Sequence, residues 1–200
     1  MYAMKQCILI WWGEVFDTKE EYYQFLVDCD RDLQKPKKSR KNRLCDSISS
    51  HYECLRPQMP NWFKADYESW KIWFEKFFKY LNEEDIVLIW FSLWAMFLMR
   101  YLSENEFPRQ IHQLHLVAPE RKEEWLSGFH STKKNLEKMI GQCESVTLYH
   151  SKDDMIVPYE SAERLTEAFP MIRFESFETR GHFIQPAFPE LLENIWIYKR

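Results

Sequence analysis

The feature that most constrains this chain is an alternation. Six short apolar runs, Gln6–Ile10, Ser49–Leu55, Ile86–Trp90, Gln113–Ala118, Ser145–His150 and Ile172–Phe177, are separated by stretches with helical character. Several of the runs are apolar throughout rather than at every second position, as strands covered on both faces are. The intervening stretches are Thr18–Cys29, Tyr67–Leu81, Ser92–Ser103, Lys133–Ile140 and Tyr159–Phe169, with Pro189–Ile197 closing the chain. Thr18–Cys29 has Asp17 or Thr18 as a cap and acidic residues in its first turn. Tyr67–Leu81 carries Trp70, Trp73, Phe74, Phe77 and Phe78 at helical spacing. Strands alternating with helices predict a parallel sheet with right-handed crossovers. The expected class is α/β, a three-layer α/β/α sandwich with a mainly parallel central sheet of about six strands. No internal repeat is present, and 200 residues suit a single domain over 1–200.

Composition removes several function classes. The net charge of -4 gives no reason to expect a nucleic-acid or membrane partner. The basic segment Lys35–Arg43 (KPKKSRKNR) reads as a solvated loop ahead of the second strand, because Pro36 breaks a helix there. The richest apolar stretch, Ile86–Met99, falls short of the ~18 residues that span a bilayer. The N-terminus lacks the layout of a secretory signal. Five cysteines, Cys7, Cys29, Cys45, Cys54 and Cys143, are scattered without C-x-x-C spacing, so reduced thiols in a cytoplasmic protein are expected. His112 and His115 would not converge on a metal, and no dinucleotide-binding G-x-G-x-x-G is present. Neither a metal nor a cofactor is expected.

Three residues carry candidate chemistry. Ser92 follows the apolar strand Ile86–Trp90 and opens a helical run. Strand, sharp turn, serine, helix is the setting of a nucleophile elbow, with the helix N-terminus behind the serine. A serine hydroxyl needs a base to take its proton. His182, in Thr179-Arg180-Gly181-His182-Phe183, is the candidate, in a loop after the sixth strand. Asp154, in Ser151-Lys152-Asp153-Asp154-Met155-Ile156-Val157-Pro158, follows the fifth strand and would orient the imidazole. Asp153 is its rival, assigned instead to a cap or turn by the D-x-x-V-P spacing from Asp154. Ser, then Asp, then His is the chain order of α/β-hydrolases, each residue following its own strand.

These residues also carry a family resemblance over nearly the whole chain. It runs through Ile8–Gly13 with Glu14-Val15-Phe16, Pro57–Asn61, Tyr67 to Lys71, Ser92-Leu93, Arg100–Asn105, Leu116–Pro119, Ser151–Pro158 and Gly181-His182-Phe183. The chain resembles the small serine hydrolases related to retinoblastoma-binding protein nine and the bacterial YdeN-type proteins. The resemblance implies Ser92 as nucleophile, Asp154 as orienting acid and His182 as base. It implies an oxyanion hole from the backbone N–H of Leu93 and one near Gly13. It implies metal-free hydrolysis of small esters or amides by a monomer or weak dimer. Trp11, Trp12, Phe91, Trp94 and Phe183 are expected to line the pocket, with Trp125 and Phe129 on a segment, Glu120–Ser131, lying over it.

The chain departs from that pattern at its glycines. The family reads G-H-S-x-G at the nucleophile, and this chain reads Trp90-Phe91-Ser92-Leu93-Trp94. The family's I-H-G-G oxyanion loop is here Ile10-Trp11-Trp12-Gly13. The elbow needs small flanks, so two indoles should clash, open the turn or block the oxyanion hole. Three accounts follow: a folded but inactive hydrolase, an active one with an altered elbow, or glycines written as tryptophan. Some bacterial lineages read UGA as glycine and others as tryptophan. The 4 glycines and 9 tryptophans together approach the glycine count, about 14, that ordinary usage gives. The recoded motif would be Gly-Phe-Ser-Leu-Gly. Two function classes therefore stand: a serine hydrolase, or a catalytically impaired binding protein on a hydrolase scaffold.

Overall fold

A computed structural model describes residues 4–10, 18, 20–21, 23–24, 40–57, 59, 65–82, 86–119, 133–185 and 187–197. Six strands form one sheet: β1 (Lys5–Ile10), β2 (Tyr52–Leu55), β3 (Ile86–Phe91), β4 (Ile111–Val117), β5 (Cys143–Ser151) and β6 (Arg173–Phe177). Their order is β2-β1-β3-β4-β5-β6, and every pairing is parallel. Among the described residues the helices with bounds are α1 (Arg40–Ile48), α2 (Tyr67–Glu75), α3 (Ser92–Glu104), α4 (Lys133–Gly141), α5 (Glu160–Ala168) and α6 (Pro189–Ile197). The chain is an α/β sandwich with a wholly parallel central sheet.

The continuous apolar runs have the expected cause. All six residues of β3 are buried, because the strand is central and covered twice. Ile86, Leu88 and Trp90 face one core, which α2, α3, α4 and α5 close with Trp70, Phe97, Met139 and Leu165. Val87, Ile89 and Phe91 face the other, closed by Leu44 and Ile48 of α1 and Leu191 and Ile195 of α6. Alternation along a strand thus sends Trp90 and Phe91 to opposite faces. The parallel order carries β3, β5 and β6 to end at one edge, where the loops bearing Ser92, Asp154 and His182 begin.

Several expectations change. The second strand is shorter than Ser49–Leu55, because residues 49–51 form a turn after α1. Helix α1 itself begins at Arg40, inside the segment expected to be a basic loop. Its apolar positions Leu44, Cys45 and Ile48 recur at i, i+1 and i+4 and pack on the sheet, a short stripe that the flanking charges obscure. The helix expected over Tyr67–Leu81 is α-helical only to Glu75 and tightens into a 3₁₀ turn over Lys76–Tyr80. Asp66 caps its start, accepting the Ser69 N–H at 2.8 Å.

The cysteines are not all reduced thiols. Cys45 of α1 and Cys54 of β2 are joined by a disulfide, with Cα atoms 5.7 Å apart. A turn at residues 49–51 brings the strand back beside the helix, a juxtaposition that cysteine spacing does not reveal. Cys7 and Cys143 are free, and burial pushes both thiols up, Cys143 to about 12. Cys29 and most of the expected helix Thr18–Cys29 lie outside the described residues. No helix among the described residues is long and apolar enough to cross a membrane.

Candidate active site

The elbow forms with both indoles present. Ser92 has φ +50, a left-handed conformation that costs a non-glycine residue about 1–3 kcal/mol and clusters at functional sites. The turn raises Ser92 to the sheet edge at the first position of α3. Neither indole enters the space beside the serine. Trp90 is fully buried, edge-on to Phe74 at 5.1 Å and stacked with Phe97 at 5.7 Å. Trp94 stacks on Trp70, with ring centroids 3.8 Å apart. The expected clash is absent because strand alternation and the helix turn both point these side chains into the core beneath α2 and α3. Trp94 is thus a core residue, not a wall of an open pocket. One defect marks the arrangement: the buried Trp90 indole N–H has no hydrogen-bond partner. Such a group costs about 1–3 kcal/mol.

Ser92, His182 and Asp154 lie in one hydrogen-bonded line. His182 Nε2 is 3.0 Å from Ser92 Oγ, and His182 Nδ1 is 2.8 Å from Asp154 Oδ2. Asp154 Oδ1 accepts the backbone N–H groups of Ile156 at 2.8 Å and Val157 at 3.0 Å. Burial alone would raise the Asp154 carboxyl. The hydrogen bond from His182 and those from Val157 and Ile156 outweigh it and hold the group below the ordinary carboxylate range. An ionised Asp154 only accepts, so His182 Nδ1 carries the proton and Nε2 is left to accept the Ser92 hydroxyl hydrogen. The Asp154 side chain is sealed from solvent and the imidazole is partly exposed, which leaves one side of His182 open toward a ligand.

Other predicted site residues fall into three groups. Leu93 lies in the first turn of α3, whose N–H groups have no intrahelical acceptor. Phe91 and Phe183 are buried in the core on the α1 and α6 face, with Phe183 against Phe177 and Phe188. They therefore support the site from below. Trp11, Trp12, Gly13, Trp125 and Phe129, with the segment Glu120–Ser131, lie outside the described residues.

The residue pattern gave no site role to His150 or Ser151 and assigned Asp153 to a cap or turn. His150 is buried beside the Asp154 loop, edge-on to Tyr159 at 5.7 Å. Its Nδ1 donates to the Ser151 carbonyl at 3.1 Å and its Nε2 has no partner. Burial holds its pKa below the ordinary value, so the ring stays neutral. Ser151 and Asp153 reach across to the His182 loop, a link with no signal in the residue pattern. His112 pairs with Glu144 at 2.6 Å and His115 turns inward to Tyr149 at 2.9 Å, so the two histidines diverge. Among the described residues, no group of three or more His, Cys, Asp or Glu converges as a metal site would.

A six-stranded parallel sheet with a serine on a left-handed strand–helix turn after β3, and with an aspartate and a histidine after β5 and β6, is the architecture of the α/β-hydrolase fold. The comparisons agree with that class. The chain is 25% identical over 149 residues to serine hydrolase RBBP9 of Rattus norvegicus, covering 72% of this chain and 76% of that one. Its fold matches the ydeN gene product of B. subtilis with a TM-score of 0.71 at 19% identity, over 97% of this chain and 98% of the other. Est1E from Butyrivibrio proteoclasticus, solved with ferulic acid bound, matches with a TM-score of 0.60 at 11% identity, over 97% and 87% of the two chains. No family model matches the sequence. The chain has the α/β-hydrolase fold and is similar in sequence to a small serine hydrolase.

Proposed function

We propose that the chain is a serine hydrolase of small ester or amide substrates, working through Ser92, His182 and Asp154. The observation that carries this reading is the continuous line from Ser92 Oγ to His182 at 3.0 Å and on to Asp154 at 2.8 Å. In the first step Ser92 Oγ attacks the substrate carbonyl carbon as its proton passes to His182 Nε2. Asp154 stabilises the imidazolium that results. The oxyanion is held by the Leu93 N–H, and the resemblance implies a second donor from the segment around Gly13. His182 then protonates the leaving alcohol or amine, the C–O or C–N bond breaks, and Ser92 carries the acyl group. Water attacks that ester with His182 again as base, releasing the acid and restoring Ser92. The similarity to a serine hydrolase and to esterases supports the reaction class.

The test is covalent labelling with a fluorophosphonate. Labelling that disappears in Ser92→Ala supports the enzyme. A chain that takes no label supports the second reading, a binding protein on a hydrolase scaffold.

The tryptophans bear on the choice. The inference of glycine as the natural residue at positions 11, 12, 90 and 94 rests on the G-x-S-x-G and I-H-G-G patterns of the resemblance and on the low glycine count. At position 90 it would also remove the unpartnered, buried indole N–H. Glycines there would relieve the unpaired donor and restore G-x-S-x-G. UGG codons at positions 11, 12, 90 and 94 would overturn that account, and UGA codons would support it.

A further inference from the structure

Asp153 and Asp154 are adjacent in the chain and act in different directions. Asp154 turns inward to His182. Asp153 Oδ1 accepts the backbone N–H of Gly181 at 2.7 Å and the Ser151 hydroxyl at 2.5 Å. Ser151 Oγ in turn accepts the backbone N–H of Arg180 at 2.8 Å. Two consecutive N–H groups just before His182 are therefore held by side chains of the loop that carries Asp154. Ser151 is fully buried at the end of β5, so this anchor is part of the sheet.

The turn that is held needs holding. Gly181 has φ +52 and Phe183 has φ +52, so the residues on both sides of His182 are left-handed, one of them at a cost to a bulky side chain. The Arg180 carbonyl accepts from the Gln185 side chain at 2.6 Å and the Phe183 N–H at 3.1 Å. The Arg180 guanidinium pairs with Glu190 and lies over the rings of Phe177 and Phe188. With Ser151 on its N–H, Arg180 is held at its N–H, its carbonyl and its guanidinium, and His182 is two residues away.

We propose that Ser151 and Asp153 are positioning residues that set the His182 ring at hydrogen-bond distance from Ser92 and Asp154 together. Neither touches substrate. Their effect runs through the backbone of Arg180 and Gly181. The inference rests on the triad reading above, since a misplaced imidazole matters to the rate only if it is the base.

The test compares Asp153→Ala, Asp153→Asn and Ser151→Ala in the full chain. Fluorophosphonate labelling rate, ester kcat and KM, melting temperature and the His182 Nδ1–H proton resonance are measured. The resonance is assigned by its loss in His182→Ala. Misplacing a catalytic group by about 1 Å costs roughly 100-fold. Asp153→Ala and Ser151→Ala are expected to slow labelling by roughly 10- to 100-fold through kcat, with KM unchanged and the resonance shifted or broadened. Asp153→Asn keeps the acceptor oxygen and is expected to restore both the rate and the resonance. Wild-type labelling and an unmoved resonance in Asp153→Ala overturn the clamp, as does an Asp153→Asn variant as slow as Asp153→Ala. The two readings fail separately. If Ser92→Ala labels like the wild type, the triad is wrong. If Ser92→Ala is unlabelled and Asp153→Ala is unchanged, only the clamp is wrong. If the wild type takes no label, the resonance alone decides the clamp.

Discussion

The two halves of the site are built differently. The half that holds Asp154 and His182, proposed as acid and base, sits on loops after β5 and β6 and is finished by polar contacts. Both oxygens of Asp154 are paired, Asp153 and Ser151 grip the next loop, and Gly181 supplies a left-handed turn. The half that holds Ser92, the proposed nucleophile, sits on β3 and α3 and is finished by aromatic packing. Its turn is strained at a serine, its flanks are indoles, and it carries an unpaired buried N–H. The difference teaches which half can vary. The first is specified by hydrogen bonds whose loss leaves charged or polar groups stranded. The second is specified by volume, and the residue types at positions 90 and 94 decide how well the volume is filled.

Replacing the nucleophile should have the largest effect. Ser92→Ala is expected to lower ester kcat/KM by roughly 10⁴-fold or more, measured with an activated ester. On the opposite side, Asp154→Asn is expected to cost up to about 10⁴-fold with little change in KM, because the amide can present the wrong tautomer partner to His182. A small effect of Asp154→Asn beside a large one of Ser92→Ala would mean that the polar half does not orient the base.

The indoles give the sharpest contrast in stability. If they are native, Trp90→Gly with Trp94→Gly removes two packed side chains at ~3–5 kcal/mol each. Glycine inside α3 adds about 1 kcal/mol more. That sum approaches the whole ~5–15 kcal/mol stability of a domain, and the variant would not fold. If glycine is native there, the double variant folds, melts no lower than the chain as written and labels faster. Differential scanning fluorimetry distinguishes the outcomes.

The smallest expected effect lies beneath the site. His115 is sealed between Tyr149 and Gln113, and burial, with Arg173 and His112 nearby, lowers its pKa to about 3. The folded state resists a proton that the unfolded chain accepts near pH 6.5. Its contribution is therefore intact above pH 6.5 and falls as pH drops toward about 3. The lowered Asp153 and Asp154 carboxyls act in a separate, more acidic window, losing their contribution as pH falls below the ordinary value of 3.8. Urea midpoints measured from pH 7 to pH 4 should decline, and His115→Gln should flatten that slope. An unchanged slope would assign the decline to other groups.

Much of this was legible in the sequence. The six strands were readable because parallel strands covered twice are apolar throughout, as β3 is. The meeting of Ser92, Asp154 and His182 at one sheet edge was readable from their positions after β3, β5 and β6. Helix α1 was hidden because its apolar residues are few and its neighbours basic. The Cys45–Cys54 disulfide was hidden because a turn, not spacing, sets the approach. The fate of the indoles was misjudged at the level of the motif, where a large residue near a serine reads as obstruction. Strand alternation decides instead, and it sends Trp90 away from Ser92.

The most direct measurement of the central claim is fluorophosphonate labelling of the chain with glycine at positions 11, 12, 90 and 94, followed by peptide mapping. The account predicts a single adduct on Ser92, absent in Ser92→Ala and strongly slowed in His182→Ala. A folded chain that takes no adduct, or takes it at another residue, would contradict it.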